Sequence, residues 1–146
     1  MASAVVKTVQ EILQNVEDDA NDAIRVNAVA GGLESNTILV GGVSTTVKFA
    51  VIDNATAGDN TIVAAVASKK IRVLNVMLIS AGTVAVRFES GASGTALTGQ
   101  MQLTAQIGFA PGFDPTGHFE TAVGALLNLE LSGAISVDGW IKYVEV

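Results

Sequence analysis

This 146-residue chain has no cysteine, one histidine, one tryptophan, one tyrosine and two prolines, and charged residues make up 15% of it. Without thiols there is no disulfide, no thiolate metal site and no cysteine nucleophile, which removes several enzyme classes and makes redox chemistry by the chain itself unexpected. Any Ser-His-Asp triad would have to use His118, and no Gly-x-Ser-x-Gly elbow accompanies it. Basic residues are also scarce. Eight Lys and Arg stand against fourteen Asp and Glu, a formal charge of −6, whereas nucleic-acid binding needs basic stripes that neutralise phosphates. No apolar run approaches the roughly 18 to 20 residues of a membrane span. The N-terminus lacks the basic start and unbroken apolar stretch of a signal peptide, because Gln10, Glu11, Gln14 and Asn15 interrupt it. Cytoplasmic synthesis is the expectation, with neither a nucleic acid nor a membrane as partner.

Low charge also sets a requirement. Hydrophobic residues make up 49% of the chain, and soluble domains average about 25% charged residues, so little charge is left to cover the surface. Association is the expected remedy. The chain is long enough for one domain with a sizeable core.

The character of the sequence changes near Gly31-Gly32. Before it, Val5, Val6, Val9, Ile12, Leu13 and Val16 recur at helical spacing, predicting an amphipathic helix over residues 4–17 with Ser3 as its N-cap. Four of them (Val6, Val9, Leu13 and Val16) keep a coiled-coil rhythm for only about two heptads. So short a helix is marginal alone, and its stripe must dock, either on its own body or on another chain. Asp18, Asp19 and Asp22 sit where the helix dipole repels carboxylates and read as a hinge. The ligand spacing, central glycine and final glutamate of a calcium loop are missing there. The reading is therefore residues 1–46 as a helix and extended arm, and residues 47–146 as a β-sandwich.

After Gly42 short apolar runs alternate with Gly, Ser, Thr, Asn and Asp, about eight in all, which predicts an all-β antiparallel sandwich or barrel. Val84, Val86 and Phe88 alternate with Ala85, Arg87 and Glu89, and Leu127, Leu129 and Leu131 with Asn128, Glu130 and Ser132. Each is a strand with one dry and one wet face. Residues 71–79 are apolar on both faces after Arg72, which marks a central strand whose second face is an interface candidate. The last run, 139–146, is expected to pair inside a sheet.

Residues 91–99 have the glycine density of a phosphate loop but lack its Gly-Lys-Ser/Thr ending, so a hairpin loop is expected. Residues 109–119 hold both prolines and three of the five phenylalanines, Phe109, Phe113 and Phe119. Such a loop suits a contact surface or a plug across the open end of a sandwich. Glu89, Asp114, Glu120, Glu130 and Asp138 could serve as a glycosidase pair only if the fold brought two together. No residue pattern calls for a cofactor or a metal.

The runs 62–66 and 70–76, the loop 113–121, the segment 127–132 and the ending 139–146 together resemble the small β proteins of tailed-bacteriophage virions, that is, capsid decoration or cement proteins and short fibre modules. The resemblance covers 47–146. It implies a jelly-roll-like, often trimeric body in the virion, and an N-terminal arm that reaches a neighbouring subunit or the major capsid protein. It carries over no catalytic residue. The expected interface is the helical stripe together with Phe109, Phe113 and Phe119, and the alternative is a fibre module that uses the loop to bind a receptor or glycan.

Overall fold

The computed structural model describes residues 37–40 and 43–146, and these contain twelve strands and no helix. The predicted helix with its stripe of Val5, Val6, Val9, Ile12, Leu13 and Val16, and the acidic hinge after it, lie outside the described residues.

The strands are β1 (Thr37–Val40), β2 (Val43–Thr46), β3 (Lys48–Asn54), β4 (Gly58–Val63), β5 (Ile71–Ser80) and β6 (Val84–Ser90). They continue as β7 (Thr95–Ala96), β8 (Met101–Leu103), β9 (Gly108–Phe109), β10 (Phe119–Glu120), β11 (Leu127–Leu131) and β12 (Val137–Glu145). β1 and β2 form a hairpin within the segment expected to be extended arm. The rest make two five-stranded sheets. The first runs β10-β5-β12-β3 with β9 also on β5, and the second runs β4-β11-β6-β7 with β8 also on β6. All ladders are antiparallel.

One core lies between the sheets, so the body is sandwich-like. Val76, Leu78, Ile52 and Ile141 come to it from the first sheet, and Val86, Phe88, Leu127 and Leu129 from the second. Period-two alternation produces this directly, since every second residue of β6 and β11 is apolar and turns inward. Burying a Leu or Phe contributes about 1.5 to 3 kcal/mol, which makes this shared core the main source of stability.

β5 is apolar on both faces because its pleat changes phase. Tyr143 pairs with Val73 and Lys142 with Asn75, which leaves Leu74 as the extra residue of a bulge. Ile71 and Val73 point inward before the bulge and Val76 and Leu78 after it, while Asn75, Met77 and Ile79 turn outward. β12 lies between β5 and β3, paired inside the sheet as expected of residues 139–146, and its neighbour Val146 exchanges backbone hydrogen bonds with Lys70 at 2.8 and 3.0 Å. Gly139 is obligatory for the close β12–β5 approach. Its φ is +155°, and a Cβ there would strike the Met77 carbonyl oxygen.

Candidate functional site

The two outer faces of the sandwich have opposite character. On the second sheet, the strand alternation that sends leucines inward sends Arg87 and Glu89 of β6, and Asn128 and Glu130 of β11, outward. Register sets them in a square, with Asn128 opposite Glu89 and Glu130 opposite Arg87. Arg87 donates to Glu89 Oε1 from Nε at 2.9 Å and from Nη2 at 2.5 Å, and its Nη2 lies 2.6 Å from Glu130 Oε2. Asn128 Nδ2 donates to Glu89 Oε2 at 3.1 Å and to Asp59 Oδ1, on β4, at 2.6 Å. Ser93, in the turn after β6 with φ +50°, donates to Asp59 from its backbone N–H at 2.8 Å and its hydroxyl at 2.6 Å.

This polar cluster is closed. Sequence alternation gives Glu89 and Asn128 a wet face, but they are 1% and 0% exposed. The surroundings are tertiary, since Asn128 bonds Asp59 of β4 and Glu89 of β6, and Asp59 is in turn held by Ser93. The bonded Glu89 and the neighbouring charge of Glu130 hold Arg87 protonated beyond its ordinary range. Hydrogen bonds from Ser93, and then from Asn128, keep the Asp59 carboxyl below its ordinary range. Both oxygens of Glu89 accept hydrogen bonds, and its burial keeps the carboxylate from solvent. The fold thus brings together only Glu89 and Glu130 of the five carboxylates singled out from the sequence, and joins them through Arg87. Burial leaves two atoms of the cluster without a hydrogen-bond partner, Asn128 Oδ1 and Glu130 Oε2, the second held by its ion pair with Arg87.

The other carboxylates are dispersed. Glu120 takes Lys70 Nζ at 2.6 Å and Arg72 Nη2 at 2.7 Å, and these two donors, Lys70 first, lower its pKa. Asp114 accepts from the Thr116 hydroxyl at 2.7 Å and backbone at 2.8 Å, Asp138 accepts from Ser136, and His118 Nε2 lies 2.9 Å from the Gly112 carbonyl oxygen. Among the described residues no three His, Asp or Glu side chains form a group able to hold a metal ion, and no helix is long and apolar enough to cross a membrane.

The proline-rich loop spans the gap between β9 and β10 along the free edge of β5. Asp114 N–H donates to the Leu74 carbonyl at 2.9 Å, and His118 N–H to that of Val73 at 2.8 Å. Its three phenylalanines separate. Phe113 is half exposed, and Phe109, paired with Leu78, is at the margin of exposure. Phe119 turns inward, with its ring 5.0 Å from that of Phe88.

The outer face of the first sheet is apolar and open. Directly opposed residues share a face, so register lays Val51, Trp140 and Met77 in one row across β3, β12 and β5. Phe49, Lys142 and Asn75 form the next row on one side, and Asp53, Asp138 and Ile79 on the other. Val51 is 75% and Phe49 65% exposed. Lys142 Nζ sits 5.2 Å from the centre of the Phe49 ring and 5.8 Å from that of Trp140, a cation–π arrangement. Of this outer face, the sequence singled out only the part that β5 contributes as an interface candidate. Phe49, Val51 and Trp140 were missed because cross-strand register is a tertiary property, although alternation in residues 47–52 carried part of the signal. Compared with protein-family models, with curated proteins and with solved structures, the chain finds no match in any of the three.

Proposed function

We propose that this chain is a non-enzymatic structural module that acts by association, and that its setting is a tailed-phage particle, as a capsid decoration or cement protein. The observation that carries the associative part is the contrast between the outer faces. The second sheet satisfies its charges internally, whereas the first leaves Phe49 and Val51 in water. An exposed apolar sheet face on a chain with little charge marks an interaction site.

Strand order supports a jelly-roll reading of the body. With β7 and β8 counted as one position and β9 and β10 as another, eight positions run from β3 to β12, and the sheets read 6-3-8-1 and 2-7-4-5. That is the order of two Greek keys wrapped into a jelly roll, an architecture common in capsid and lectin domains. The virion setting rests on the sequence resemblance. The test is to mix the purified protein with emptied heads of the phage that carries its gene and to image them. Regular protrusions and heads that resist heating are expected, and bare heads would refute the proposal.

The alternative, a fibre module that binds a receptor or glycan, is favoured by one observation, the exposure of Phe113 on a loop anchored at both ends. Glycan-array binding abolished by Phe113→Ala would establish it over cement.

A further inference from the structure

The open face of the first sheet has a charge pattern as well as apolar surface. Lys142 and Asp138 both point outward from β12 on either side of Trp140, four residues apart, or about 13 Å along a strand. Among the described residues neither they nor Asp53 has an oppositely charged partner, a condition shared by Lys69, Asp59 and Asp114 elsewhere on the body but by no other charged residue of this face. A positive end, an apolar middle and a negative end on one antiparallel sheet are self-complementary under a two-fold that reverses strand direction.

We propose that a second copy of this chain covers this face, related by a two-fold axis that lies between the two sheets, perpendicular to the strands, and passes beside Trp140. Each Lys142 then faces Asp138 of the other copy, so the ion pair forms twice, and the row of Val51, Trp140 and Met77 packs on its own counterpart. The contact is isologous, and the sheets pack with strands nearly aligned, as in natural sandwiches. Three strands about 4.8 Å apart and roughly 30 Å long present on the order of 400 Å² before side-chain relief. Counted on both copies that is about 800 Å², below the standard size of stable interfaces and in the weak, transient class, so dissociation is expected in the high micromolar range. The inference rests on the associative reading of this open face and not on the virion setting, so a dimer without capsid binding, or capsid binding by a monomer, tells the two apart.

The test uses the full chain. Light scattering up to the high micromolar range should show mass rising from 14.9 kDa towards twice that value, with a parallel blue shift from Trp140, the only tryptophan. Lys142→Glu and Asp138→Lys should each raise the dissociation constant about tenfold or more. Together they should restore it, because the pair is re-formed with its signs exchanged. Val51→Asp, at an exposed position, should dissociate the dimer while leaving the far-UV circular dichroism unchanged. A single-chain mass throughout, a three-chain mass, single charge variants that associate like wild type, or a double variant that stays dissociated would each overturn the proposal.

Discussion

Asn128 is the residue on which the sealed polar cluster turns, and replacing it tests that account of the second sheet. Its Nδ2 bonds two carboxylates, Asp59 at 2.6 Å and Glu89 at 3.1 Å, while its Oδ1 is buried and unpartnered. In Asn128→Ala the Asp59 side is exposed and rehydrates. The Glu89 side is not, and a buried hydrogen bond to a charged group is worth about 1.5 to 3 kcal/mol. Removing the orphaned carbonyl returns about 1 kcal/mol, and lost packing takes about as much away, so the net cost is about 2 kcal/mol. For a body of this size that lowers the melting temperature by about 8 °C. Asn128→Asp keeps the shape but replaces a donor with a third carboxylate between Asp59 and Glu89. An uncompensated buried charge costs about 3 to 5 kcal/mol, so this variant is the less stable of the two at neutral pH. Its new carboxyl titrates above the ordinary range in the folded state, so the folded state binds more protons than the unfolded one. Stability therefore falls as pH rises through that interval and recovers as pH is lowered towards 5. Urea denaturation of both variants between pH 5 and 8 measures this. An Asn128→Asp variant as stable as wild type at neutral pH with no pH dependence, or an Asn128→Ala loss below about 0.5 kcal/mol, would refute the account.

Other parts of the fold give further expectations. Leu129→Ala, at a fully buried position facing Phe88 across the β11–β6 ladder, should cost about 3 to 4 kcal/mol in denaturant titrations. Gly139→Ala should cost about 3 kcal/mol or more, because the added Cβ meets the Met77 carbonyl in the strand pairing itself. Phe119→Ala should lower the melting temperature by several degrees through lost packing on Phe88, whereas Phe113→Ala should leave it within about 0.5 kcal/mol of wild type. Asp59 and Glu120 have folded pKa values below their ordinary 3.8 and 4.5. The stability they contribute is complete above those values and is lost as pH falls through the lowered folded ones. Asp59→Asn should accordingly flatten the acid limb of a stability–pH curve, and an unchanged limb would show that the Ser93 contact is not formed in solution.

Much of the body was legible because alternation is local. Each apolar run overlaps a strand, although that of residues 62–66 leaves β4 after Val63, the glycine-rich residues 91–99 hold a turn before β7, and the inward faces of β6 and β11 are the ones their leucines, valines and phenylalanine dictate. Four strands were missed: β1 and β2, in the segment read as extended arm, and β7 and β9, whose two residues each carry no period. The candidate site was less legible. Alternation placed Glu89 and Asn128 on an outer face, but the bonds that hold them, among them Asn128 to Asp59 and Asp59 to Ser93, join segments remote in sequence. The loop phenylalanines appeared equivalent in sequence, and only the path of the loop along β5 separated Phe119 from Phe113.

By itself, then, the sequence determined that the described body is built of antiparallel strands, several with one dry and one wet face, that the chain carries little charge and that it has no thiol chemistry. These follow from residue type and from a period of two, which neighbouring residues encode. Tertiary structure decided which outer face is sealed and which is open, because that depends on the register that sets Arg87 opposite Glu130 and Val51 opposite Trp140. A shift of one residue in either ladder would leave the composition unchanged and exchange the faces.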